Sequence, residues 1–320
     1  MKTRVLFLAC TLCLTPLLSQ GDDHKQLDAD DIKQMAADLS NWGRWGEDDQ
    51  KGALNLITPA KRVAAAKLVT QGISVSLARD SIETIQPDNP RPFIHTMVGV
   101  GPQWNSDNYS VAYHGFAHSH IDALCHYVHN GRLYNGFPAD SVTKLGAQFL
   151  DVRNMKEGIF TRGVLIDATK LKGVKYLEPG TPLYPEDLDA WEKMAGVKIK
   201  PRDAVLLYTG RWMRRDELCP WSSGAAGLHA SCAPWLKERD IAVMGSDGGS
   251  DVNPSQVEGV GSPIHMMMLY VMGVPILDNL ELERLAKQCD ELDTYEFLLT
   301  TAPIPVEGGT GSPLNPIATF

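Results

Sequence analysis

After an N-terminal apolar run ending at Leu18, the 320-residue chain has no stretch that could serve as a membrane span. Basic residues are also in the minority, 30 against 39 acids, which argues against nucleic acid as a partner. No Gly-x-Ser-x-Gly elbow occurs, which weighs against a serine hydrolase. Neither Gly-x-Gly-x-x-Gly nor a Walker sequence is present, so no nucleotide cofactor is implied. The four cysteines beyond residue 21 (Cys125, Cys219, Cys232 and Cys289) form no Cys-x-x-Cys pair, and a zinc ribbon is not indicated. Repeats, low-complexity tracts and linkers are likewise missing, and one domain over residues 22–320 is the simplest organisation.

The first 21 residues have the layout of a secretory signal peptide: Lys2 and Arg4, an apolar run from Val5 to Leu18, then Ser19 and Gly21. Cleavage near Gly21 is expected, with the mature protein secreted or periplasmic. In an oxidising compartment Cys219 and Cys232 could close a disulfide loop, or the thiols could stay free and buried.

Along the mature chain, an acidic polar leader runs to about Leu39. Thr58 and Pro59 then look like the cap and first turn of a helix, with Gly72 placed to end it. The prolines and glycines between Arg79 and Asn108 predict loops and short strands. "RGVLIDA", "DAVLLYTG" and "IAVMGSD" have strand character, whereas "YPEDLDAWEKMAG" carries Leu188, Trp191 and Met194 at helical spacing. The whole reads as mixed α/β. The Pro- and Gly-rich C-terminal segment is expected to wrap over the surface.

Against this background "HGFAHSHIDALCH" (114–126) stands out, because with His129 it holds five of the nine histidines. In a strand, His118, His120 and Asp122 would share one face, and two imidazoles with a carboxylate make a divalent metal site. His114 has the same parity but joins only if the chain bends near Gly115. His126 lies beyond the strand end, where an imidazole suits a general acid or base. His129 reads as a turn or surface residue. Asp247 and Ser250 could line a pocket or form a plain turn, and Trp42 and Trp45 could stack on a substrate or bury themselves.

The segment resembles the signature of the cyclase family of metal-dependent hydrolases, which includes kynurenine formamidases and isatin hydrolases. The family motif, His-x-Gly-Thr-His-x-Asp-x-Pro-x-His, falls on His120, Asp122 and His126, with Ser119 for threonine and Leu124 for proline. Upstream, the first family histidine falls on Phe116 and the glycine on His118. Strand parity makes His118 the third ligand, and a two-residue insertion would make it His114. His265 and Asp278 match the spacing of a second metal site, with Asp in place of the usual Glu. Their bland alternatives are a core histidine among methionines and a helix-capping pair of Asp278 with Glu281.

The resemblance implies an α/β single domain with a central β-barrel-like or layered mixed sheet flanked by helices. It also implies one or two zinc or manganese ions per chain, a small-molecule substrate, and a homodimer or homotetramer. The activity it implies is hydrolysis of an acyl C–N or C–O bond in an aryl formamide, lactam or lactone. A non-catalytic extracytoplasmic metal-binding protein is the alternative from another class.

Overall fold

A computed structural model describes residues 24–320, so the expected signal peptide lies outside the described residues. Nine strands form one curled mixed sheet: β1 (Ser74–Ser76), β2 (His120–Asp122), β3 (Ile159–Asp167), β4 (Ala204–Tyr208), β5 (Val243–Ser246), β6 (Ile276–Asp278), β7 (Glu296–Thr301), β8 (Gly311–Pro313) and β9 (Ile317–Thr319). Their order across the sheet is β1-β9-β7-β3-β4-β5-β6-β2-β8. The middle four, β3 to β6, are parallel, and every pairing outside them is antiparallel.

The parallel strands are covered on both faces, which explains why "AVLLY" of β4 is apolar without alternation and wholly buried. Burying each of its larger aliphatic side chains stabilises the fold by about 1.5–3 kcal/mol. On one flank, the helix Pro185–Met194 buries Leu188 and Trp191, and the Trp191 indole donates to the Leu165 carbonyl at 2.8 Å. Pro185 at its first turn fits because that position has no helical acceptor for an N–H.

Several local expectations are met at their chemical cause. Thr58 caps the helix Pro59–Ala66 by accepting from the Lys61 amide. That helix closes at Ala66, however, and Gly72 lies beyond it in a left-handed turn. The acidic leader is itself a helix, Ala29–Leu39, started by a reciprocal capping box between Asp28 and Asp31. The prolines of 79–108 leave a loop and one hairpin, Ile94–Val100 with Asn105–Ser110, that stands out from the main sheet.

One open alternative is decided and one expectation is narrowed. Cys219 and Cys232 are both free: Cys219 is exposed, while Cys232 is buried with its thiol against the Leu183 carbonyl. The C-terminal segment lies on the surface only in part, at residues 302, 304–307 and 315. It supplies β8 and β9, and Phe320 is buried, because its short apolar stretches satisfy backbone groups along the sheet.

Candidate metal centre

Strand register builds the centre. His120 and Asp122 are two residues apart on β2 and so project to one face, with Ile121 buried on the other. Antiparallel pairing with β6 sets Asp278 directly opposite His120, which brings that carboxylate to the same face. On the other side β8 pairs Gly311 with Asp122. A side chain at Gly311 would lie 2.3 Å from the Ile121 carbonyl and 3.2 Å from the His114 ring, so glycine lets the ring in.

The remaining imidazoles come from irregular segments. Residues 114–117 form a turn through Gly115, whose φ is 147°, and this bend swings His114 to 3.0 Å from Asp122 Oδ1. His126 follows the turn after β2, with its ring stacked on His114 at 4.0 Å and Nε2 3.8 Å from Asp122 Oδ2. His265 ends a short helical turn, Pro263–His265, with Nε2 3.3 Å from Asp278 Oδ2 and 3.9 Å from Asp122 Oδ2.

In three of these rings the outer nitrogen is occupied and the inner one faces the carboxylates. His120 Nδ1 donates to the His118 carbonyl at 2.8 Å, and His265 Nδ1 to Asp251 at 2.5 Å. His114 Nε2 meets the Thr310 hydroxyl at 2.9 Å. Partners of this kind fix the tautomer and aim of metal-binding histidines.

Three inner atoms, His114 Nδ1, Asp122 Oδ1 and Asp278 Oδ1, are buried without a hydrogen-bond partner. Although His114 Nδ1 and Asp122 Oδ1 are close, they are not aligned for a hydrogen bond. Orphaned buried acceptors cost about 1–3 kcal/mol each, more when charged, and a cation at their point of convergence would satisfy them together. Two triplets have ligand atoms mutually within 4.8 Å: His114, Asp122 and His126, and His120, Asp122 and Asp278. The donors are imidazole nitrogens and carboxylate oxygens, a set that fits zinc or manganese.

Electrostatics agree with a cation-seeking site. Burial works against ionised Asp122, yet His114 and His120 hold its carboxyl well below the ordinary carboxylate range. Burial pulls His120 and His265 down as well. It is outweighed by Asp122 and Asp278 at His120, and by Asp278 and Asp251 at His265, so both rings are raised. Protons here stand where a metal's charge would be. His126 differs: burial, with its imidazole neighbours, lowers it in spite of Asp122, and it is neutral near neutral pH.

His126 and His265 open onto a cleft of about 500 Å³ also lined by Phe116, Tyr127, Ser222 and Asn253. The His126 side chain is 34% exposed, against 1% for Asp122, so substrate can reach it.

Of the residues singled out from sequence, His114, His120, Asp122, His126, His265 and Asp278 come together. His118 does not join either triplet. The strand starts at His120, so parity does not extend to His118, whose ring sits edge-on to Phe93 at 6.3 Å. Asp278 is the last residue of β6 and caps no helix; Glu281 accepts from the Glu283 amide that opens the next one. Asp247 is fully buried and accepts from Thr209 and Arg211, and Ser250 is buried as well. Trp42 donates to the Tyr270 carbonyl and Trp45 packs against the core; neither lines the cleft. His129 sits half-buried in a turn with Arg132. Sequence reasoning missed Asp251 and Thr310. Asp251 carries a signal, as the acid directly after Ser250, but its partner lies 14 residues on.

Comparison with known proteins gives one family. The cyclase family model matches residues 72–250. A crystal structure of a novel cyclase is 32% identical, covers 88% of this chain and all of its own, and superposes with a TM-score of 0.81. Isatin hydrolase A from Ralstonia solanacearum shares the fold at 23% identity, covering 82% of this chain and 97% of its own, TM-score 0.56. An isatin hydrolase bound to the product analogue thioisatinate does so at 20% identity, 81% and 94% coverage, TM-score 0.55. Among curated proteins nothing matches.

Proposed function

Since the chain belongs to the cyclase family, we propose that it is a metal-dependent hydrolase cleaving an acyl C–N or C–O bond in an aryl formamide, lactam or lactone. The observation that carries this reading is the convergence of buried, unpartnered His114, Asp122 and Asp278 atoms beside a cleft that His126 faces.

His114, His120, Asp122 and Asp278 would hold one or two divalent ions, zinc or manganese, with Asp122 common to both triplets; His265 lies outside the triplets, 3.3 Å from Asp278, as a further donor, and His126, the third member of the first triplet, is assigned to proton transfer. When bound, such an ion lowers the pKa of water and polarises a carbonyl. The protein's own part is proton handling and aim. Neutral His126 accepts a proton at Nε2 from the attacking water and returns it to the leaving nitrogen or oxygen. Its stacking on His114 fixes the plane in which that transfer occurs. Asp251 holds His265 with Nε2 turned inward, and Phe116 and Tyr127 offer apolar surface to a ring.

His126→Ala should lower kcat by about 10²–10⁴-fold on whichever of formanilide, lactam and lactone substrates the wild type turns over, while metal per chain stays at the wild-type level. Loss of stoichiometric metal from that variant would make His126 a ligand instead. Wild-type protein that is metal-replete and inert on the panel would favour the non-catalytic metal-binding alternative.

The reading extends to export, on the pattern of residues 1–21, and no helix among the described residues is long and apolar enough to cross a membrane. It extends also to a homodimer or homotetramer. The projecting hairpin region exposes Ile94, Val98, Val100, Trp104 and Tyr109, an apolar patch of the kind subunit association covers. Light scattering on purified protein checks the oligomer.

A further inference from the structure

Beyond the contacts of the His114 ring itself, the turn carrying His114 and the residue after it are held by three backbone carbonyls that end on two side chains. Asn279 Nδ2 donates to the Gly115 carbonyl at 2.7 Å and to the His118 carbonyl at 3.3 Å. Arg211 Nη2 donates to the Phe116 carbonyl at 2.6 Å, while its Nη1 reaches Asn279 Oδ1 at 3.4 Å. Asn279 is the residue after Asp278 and has a left-handed backbone, φ 55°. Its carbonyl accepts from the Ser119 hydroxyl and its amide donates to Gly248.

Arg211 is itself held on all sides. Only 7% of it is exposed, its guanidinium lies 4.2 Å over the Trp212 ring, and Asp88 is 3.8 Å away. Its backbone amide donates to Asp247, the same carboxylate that accepts from the Thr209 amide and hydroxyl. Burying a guanidinium is costly unless its donors are used, and here they are spent on a loop carbonyl and on Asn279.

We infer that Asn279 and Arg211 form a clamp that positions His114 for metal, by fixing the turn between His114 and His120 to the end of the strand that carries Asp278. The two residues touch neither the cleft nor the inner ligand atoms; they set the separation between ligands that sit on different segments. The inference rests on the metal-site reading above. Asp247, for which the sequence left a pocket role or a plain turn open, acts one step further back by fixing Arg211.

The test compares Asn279→Gly, which suits the left-handed backbone and deletes the amide, with Arg211→Lys, which keeps a charge but loses the fork. Zinc and manganese affinity are measured on the full chain by chelator competition, with circular dichroism and melting temperature alongside. Asn279→Gly should stay folded and bind metal about 10–100-fold more weakly, and Arg211→Lys should fall between it and wild type. A folded Asn279→Gly protein with affinity within about twofold of wild type overturns the clamp. Should wild-type protein take up neither ion, the metal reading fails by itself, and a crystal structure of Asn279→Gly judges the clamp. A His114 ring still 3.0 Å from Asp122 would overturn it, and a displaced ring would support it.

Discussion

The two halves of the centre are built by different means. His120, Asp122 and Asp278 sit on paired strands, where register alone fixes their faces and separations. His114, His126 and His265 come from turns and a short helical segment, and each depends on a particular partner: Thr310, the stacked His114 ring, and Asp251. The strand half is therefore hard to deform but easy to abolish, since one carboxylate serves both triplets. The turn half can be loosened by degrees.

Removing the shared carboxylate tests the first half. Asp122→Ala should lose metal and activity together, by about 10³-fold or more in kcat/KM, because it removes the ligand common to both triplets and leaves buried imidazolium unpaired. Elemental analysis with an activity assay reads both, and an active, metal-replete variant would sink the centre as drawn. A smaller effect is expected in the turn half. Asp251→Asn keeps the shape but weakens the acceptor behind His265, and metal affinity should fall about 10–100-fold without complete loss.

The pH dependence of stability sharpens the contrast between stripped and loaded protein. In stripped protein Asp278 and Asp251 overcome burial and raise His265 well above the ordinary imidazole range. A raised value means that the charged ring contributes its full stability below about pH 6.5, the unfolded value, and loses it as pH climbs through the folded value. The melting temperature of chelator-stripped protein should therefore decline as pH rises above neutral, while that of zinc-loaded protein, with Nε2 already deprotonated, should not. Parallel profiles would contradict this. The smallest effect is expected far from the centre: Cys219→Ser should change stability by no more than about 0.5 kcal/mol, and dithiothreitol should leave the melting temperature unmoved, as the thiol is free and exposed.

This division also explains what could be read from the chain beforehand. Period-two alternation spoke directly about His120 and Asp122, and apolar runs about β3, β4 and β5, because local geometry dictates those faces. The same parity put His118 on that face as the third ligand, but the strand begins only at His120, a boundary set by long-range pairing with β6 and β8. Position 114 depended on a bend at Gly115 that is held from Arg211 and Asn279, far along the chain. The C-terminal strands were equally illegible: three-residue segments bounded by Pro and Gly look like coil until a sheet edge is there to accept them.

That last feature bears on the timing of synthesis. The Tyr113 hydroxyl reaches the Gly311 carbonyl 198 residues later, and β8 completes the outer side of the strand that carries His120 and Asp122. A nascent chain still tethered to the ribosome before residue 313 has emerged holds most of its ligands and lacks the edge that seats them. A cation held by these residues would therefore be seated only once that edge is in place.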